Sequence, residues 1–292
     1  MSDAYWDTVV PTYIENWPAA LCSLSIPQVD VPLTVDDARR LGTNIIEFGE
    51  AFCATPDQRP QMEAAATWAN SAVAAKLLGQ HEPPDKVEFP EIVTCVEDIS
   101  DIRAKVASAV NTFPGGAFVR LGSRSPKDSW EWHRIGAKIS SGEDPLRLLC
   151  DASERIYEDL ALAISRNYSP HIFARQWLTI PEWSEFRCFM QGRKLVGISQ
   201  YNYFRGAVYE EIVQNADTLR WVIAEQFFPD FLRASHLADV VFDVFVKCWS
   251  HRDNSRVWEV KLLEVNPFFE MTDPCMFAWK DGFDGSFRFN KS

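Results

Sequence analysis

Val257-Trp258-Glu259-Val260-Lys261-Leu262-Leu263-Glu264-Val265-Asn266-Pro267-Phe268-Phe269 is the stretch on which the reading of this chain turns. Its β-branched, apolar-rich run reads as a strand, and Pro267, lacking an N–H, ends the ladder. Alternation along an extended chain puts Trp258, Val260, Leu262, Glu264 and Asn266 on one face. An acid and an amide thus stand together at the strand's mouth, a donor pair that suits a hard cation.

Val240-Val241-Phe242-Asp243-Val244-Phe245-Val246 is a second apolar run, joined to the first by the polar turn Ser250 to Arg256, so the two are expected to pair as a hairpin. An ionised Asp243 inside a covered strand needs a positive partner, and a divalent metal shared with Glu264 and Asn266 would serve. The alternative is an edge strand, with Asp243 facing solvent and Glu264 and Asn266 capping the following loop.

The 292 residues, 47% of them hydrophobic, are enough for two or three closely packed subdomains. No apolar run is long enough to span a bilayer, and the N-terminus lacks a signal-peptide pattern, which places the chain in the cytoplasm. Seven scattered cysteines without a Cys-x-x-Cys pair point to neither a disulfide framework nor a zinc site. A net charge of −12 argues against general nucleic-acid binding.

Along the chain, Tyr5 to Trp17 reads as a short aromatic docking segment and Ser25 to Pro32 as extended. Thr34 followed by Asp36 and Asp37 opens a helix with the spacing of a capping box. Gln58 to Leu78 is a second expected helix, and His81 to Lys86 a linker. Ile99 to Ala109 is helical, and Pro114-Gly115-Gly116 breaks it before the strand Ala117 to Leu121. The loop Gly122 to Ser129 follows; with Arg120 it gathers three cations, Arg124 and Lys127 included, among hydroxyls such as Ser125. It is either a phosphate cradle or a solvated surface loop. Pro145 to Ser165 carries a helical apolar stripe, Phe173 to Ile180 is a strand, and Asp217 to Phe228 is helical. Ser184 to Met190 and Leu195 to Tyr201 form a hairpin about Gln191-Gly192-Arg193-Lys194. Arg187, set among bulky apolar residues there, calls for a carboxylate or a ligand phosphate.

Phe118-Val119-Arg120-Leu121 with Ser125-Pro126-Lys127-Asp128, Glu185-Phe186-Arg187-Cys188-Phe189, Gly197-Ile198-Ser199-Gln200, and Glu264-Val265-Asn266-Pro267-Phe268 with Thr272-Asp273 resemble, in order and spacing, the cell division cycle protein 123 family. The resemblance implies an α+β ATP-grasp fold whose two lobes, with antiparallel sheets, close on ATP and magnesium. It divides the chain into an N-terminal region (1–112), a first lobe (113–178) and a second lobe with the metal-binding hairpin (179–292). It further implies that Arg120, Ser125, Lys127 and Arg187 face phosphate, with Lys127 and Arg187 catalytic. The stretch Arg175-Gln176-Trp177-Leu178 would bind the adenine at the hinge, and Asp243, Glu264 and Asn266 would hold magnesium.

Three departures bear on function. Gly122-Ser123 stands where the family usually has Asn-Trp, Tyr201-Asn202 where it usually has Arg-Asp, and Glu264 where it usually has Asp. The last moves the chain toward the Glu-x-Asn of catalytic ATP-grasp ligases. The expected function is therefore an ATP-dependent carboxylate–amine ligase working through an acylphosphate, on an unknown small-molecule or protein acceptor. The alternative is a non-catalytic, ATP-binding assembly factor for eukaryotic translation initiation factor 2, acting through its gamma subunit.

Overall fold

A computed structural model describes residues 3–53, 96–250 and 256–291. The expected helix Gln58 to Leu78, the linker His81 to Lys86 and most of the turn between the two acidic strands lie outside the described residues. The chain forms two compact units, Met1–Gln28 with Arg175–Ser292, and Val29–Ala174. The sequence reading drew its divisions after 112 and 178 instead. The architecture is mixed α+β.

The first unit is built on a five-stranded sheet in the order β7-β6-β4-β5-β8. Its strands are β4 (Glu185–Gln191), β5 (Lys194–Gln200), β6 (Val240–Ser250), β7 (Arg256–Pro267) and β8 (Phe287–Arg288). β7, β6, β4 and β5 are antiparallel in turn, and β8 adds in parallel to β5, so the sheet is mixed. The β4–β5 hairpin turns at Gly192 and Arg193, both at positive φ (55° and 61°), the conformation that a two-residue hairpin with right-handed strand twist requires. One face of the sheet carries Phe242, whose ring stacks 4.1 Å from Phe231 on the helix Phe228–Ala234. On the other face Phe189, Val241 and Phe277 form an aromatic-rich core.

Gly197, opposite Phe189 on β5, has a steric reason to be glycine: an added Cβ would lie 2.8 Å from Phe277 Cζ.

The other unit holds a three-stranded sheet in the order β1-β3-β2, from β1 (Gln28–Pro32), β2 (Ala117–Leu121) and β3 (His171–Gln176). Thr34 closes the expected capping box with Asp37 at the start of the helix Val35–Gly42. The long helix expected from Pro145 is shorter, Glu154–Ser165. Ser153 caps it by accepting from the Ile156 N–H, and Asp128 accepts from both Ser153 Oγ and the Arg155 N–H, which stops the helix from extending backward. Leu146, Leu148 and Leu149 are fully buried in the preceding turns; their stripe reflects burial, not helical period.

β3 likewise ends at Gln176, short of the expected Ile180. The helix expected from Asp217 begins at Glu210, passes through a π-helical turn over Val222–Phe227 and re-forms at Phe228, with Pro229 in the first turn where its missing N–H is tolerated. Tyr5 to Trp17, expected to be a docking segment, starts as the helix Asp3–Val9 and buries Tyr13, Ile14 and Trp17. Among the described residues no helix is long and apolar enough to cross a membrane.

Candidate functional site

Four strands of the first unit contribute to one rung: Ser199 on β5 pairs with Arg187 on β4, Arg187 with Asp243 on β6, and Asp243 with Glu264 on β7. Side chains paired across a sheet point to the same side, so Arg187, Asp243 and Glu264 converge. Asn266 is two residues further along the same face, opposite Val241, and its Nδ2 lies 3.4 Å from Asp243 Oδ2.

Simple alternation does not produce this arrangement. Asp243 pairs with Glu264 but the next residue, Val244, pairs with Leu262, which leaves Leu263 as an extra residue in β7. Such a bulge reverses the side-chain parity beyond it. Trp258, Val260 and Leu262 therefore share the face of Val244, while Glu264 and Asn266 share the face of Asp243. The expected grouping of Leu262 with Glu264 and Asn266 is corrected accordingly.

Asp243 is 1% exposed and does not face solvent, so the edge-strand alternative fails; β6 lies between β7 and β4. Arg187 grips it with both prongs, Nε to Oδ1 and Nη2 to Oδ2, each at 2.8 Å. Burial works against the charge of Arg187, yet the Asp243 carboxylate and its hydrogen bonds outweigh that and hold the guanidinium well above its ordinary pKa. Nη1 of Arg187 donates to the Asp273 carbonyl at 2.9 Å, and the Tyr201 ring covers the guanidinium with its centroid 4.9 Å from Cζ. Asp273 in turn accepts from the Cys275 N–H and from Tyr203 Oη. Burial pushes the Cys275 thiol up to about 12.

No role was expected for Tyr203 or for the backbone carbonyl of Asp273, and Tyr201 stood only in a departure from the family motif. The Tyr201 ring that stacks on Arg187 falls within the departure expected at Tyr201-Asn202. Among the described residues no three His, Cys, Asp or Glu side chains are arranged to hold a metal ion. A cation at this rung would thus need the amide of Asn266 beside the carboxylates.

The other unit carries the cationic loop, and it is not a solvated surface loop: Ser125 and Ser129 are buried. Arg120, also buried, donates from Nε to the Leu121 carbonyl at 2.9 Å. Arg124 is tied to Glu158 (3.3 Å) and Asp159 (3.2 Å) of the helix beneath. The Lys127 N–H donates to the Ser125 carbonyl at 2.9 Å. Ser125 Oγ is buried and has no hydrogen-bond partner among the described residues.

In the stretch Arg175 to Leu178, Arg175 is buried, with Nη1 2.7 Å from the Leu263 carbonyl, whereas Gln176, Trp177 and Leu178 are half-buried. The Gln176 N–H donates to the Pro27 carbonyl.

The model of the D123 family matches residues 56–285. The chain belongs to this family. It is the cell division cycle protein 123 family to which the motif order pointed. A relative from Xenopus tropicalis named "Translation initiation factor eIF2 assembly protein" is 25% identical over 290 residues, covering 94% of this chain and 78% of the relative. "Cell division cycle protein 123" of Eremothecium gossypii is 30% identical over 200 residues, 64% of this chain and 51% of its own length. The solved structure of Cdc123 from Schizosaccharomyces pombe superposes with a TM-score of 0.63 at 18% identity, covering 94% of this chain and 90% of that one. At that identity the likeness speaks for the fold.

These relatives overturn the expectation of a carboxylate–amine ligase. Curated members of the family are named as assembly proteins. Glu264 places a carboxylate opposite Asp243, and that pairing needs no turnover to account for it.

Proposed function

We propose that this cell division cycle protein 123 family member is a non-catalytic assembly factor for translation initiation factor eIF2, acting in the cytoplasm by binding the gamma subunit. The observation that carries the reading is the match across nearly the whole chain to relatives named for eIF2 assembly. The gamma subunit is the partner that the family resemblance implies.

The proposal includes an ATP-grasp role: magnesium–ATP as a bound ligand that favours a partner-binding state. Two features of the chain fit such a ligand. The rung of Asp243, Glu264 and Asn266 offers hard oxygen donors, of which Asp243 is at present neutralised by Arg187. The buried, orphaned Ser125 Oγ lies in a loop with Lys127, as an anion-facing group would. Asp243, Glu264 and Asn266 would hold the cation in one unit; there Arg187 would turn from Asp243 to phosphate, and the backbone from Arg175 to Leu178 would take adenine. In the other unit Arg120, Ser125 and Lys127 would suit an anion such as phosphate. Bound magnesium would screen the triphosphate's charge.

A pull-down of purified gamma subunit tests the main reading. Capture by the wild-type chain, strengthened by magnesium–ATP, is expected; an empty pull-down with and without nucleotide would refute it.

A further inference from the structure

Leu263, the extra residue in β7, leaves a backbone carbonyl outside the regular ladder, and such a part-buried carbonyl needs a donor from elsewhere. Arg175 supplies it: Nη1 donates to Leu263 O at 2.7 Å. The same guanidinium donates through Nη2 to Ser25 Oγ at 2.8 Å, and Ser25 Oγ donates to Leu262 O at 2.8 Å. Ser25 also bridges Leu262 in parallel, with the Leu262 N–H donating to Leu24 O at 2.9 Å. Both carbonyls at the bulge are therefore held by one fork and one hydroxyl, from residues 3% and 5% exposed.

We infer that Arg175 and Ser25 form a clamp on the Leu263 bulge that sets which face of β7 carries Glu264 and Asn266. The two residues are distant in sequence, one shortly before the chain leaves this unit and the other where it returns. The reason for a clamp is that a bulge is open to slippage. If Leu263 moved into register opposite Asp243, Glu264 would pair with Phe242 and both polar side chains would turn to the opposite face, away from Arg187 and Asp243. Arg175 suits this task because its planar fork reaches two acceptors with fixed geometry, whereas a lysine offers a point charge. Arg175 and Ser25 are thus positioning residues for the rung and act through the backbone of Leu262 and Leu263.

Cross-strand nuclear Overhauser contacts between β6 and β7 report the register directly. They require neither cation nor partner protein, so this inference fails or survives separately from the proposed function. In the wild-type chain, contacts join Asp243 to Glu264. In Arg175→Met, contacts between Phe242 and Glu264 are expected to replace them. Deleting Leu263 from that variant should restore the contact between Asp243 and Glu264, because a regular ladder needs no clamp; a general packing defect would not be rescued this way. Persistence of the wild-type register in folded Arg175→Met, or failure of the deletion to restore it, overturns the inference. Should Arg175→Met not fold, Ser25→Ala decides alone. Amide exchange faster by about tenfold and confined to Glu264 through Asn266 supports the clamp, on the scale of one lost buried hydrogen bond; unchanged exchange there overturns it.

Discussion

Arg187 and Asp243 face each other on adjacent central strands and are joined by a two-pronged ion pair, both distances 2.8 Å, with both residues buried. Desolvating two charges is costly, and only such geometry offsets it. Removing one partner strands the other. Arg187→Met or Asp243→Leu alone is expected to lower unfolding stability in urea by about 3–5 kcal/mol, and the double variant Arg187→Met/Asp243→Leu to recover most of it. Additive losses would show that the two do not act as a unit.

The proposed cation role separates Glu264 from that pair. Glu264→Gln keeps the size of the side chain and removes the charge, so the fold should survive while affinity for Mn²⁺, read by electron paramagnetic resonance with and without ATP, falls about tenfold or more. Unchanged Mn²⁺ affinity would remove Glu264 from the cation set.

Much of this arrangement could be read locally. The capping box at Thr34 and Asp37, the Gly192-Arg193 turn and the strand Ala117–Leu121 depend on a few adjacent residues, and the structure reproduces them. Sequence also showed that Arg187 and Asp243 each needed an opposite charge. It could not show that they meet each other, because strand pairing across the sheet joins residues 56 positions apart. Nor was the Leu263 bulge legible: period-2 alternation assumes an unbroken ladder, and the groups that hold the bulge open come from Ser25 and Arg175. The ligase reading failed for a different reason. Carboxylates, an amide and cations are the same residue types whether a nucleotide would be turned over or merely bound.

Asp159 gives a pH-dependent prediction. Burial raises its carboxyl pKa above the usual value, with Arg124 and the Ser123 hydrogen bond pulling the other way. Because its folded pKa is the higher one, its favourable contribution is present below the unfolded value of 3.8 and is lost as pH rises through the folded pKa. Asp159→Asn should therefore show a smaller loss of stability than the wild-type chain as pH is raised from about 4 toward neutrality. Thermal unfolding across that range checks it; parallel curves would contradict it.

Gly197 tests the packing beneath the rung. A methyl group there would press on the Phe277 ring at 2.8 Å, so Gly197→Ala is expected to destabilise by about 1–3 kcal/mol, and Phe277→Leu in the same chain to relieve part of the loss. Equal destabilisation with and without the ring change would contradict the steric account.

The central claim is that this chain binds a partner, the gamma subunit of eIF2, rather than joining substrates. Titrating fluorescently labelled gamma subunit with the purified chain, with and without magnesium–ATP, tests it most directly. The account predicts saturable binding that tightens with nucleotide and leaves the ATP intact. No binding in either condition would contradict it.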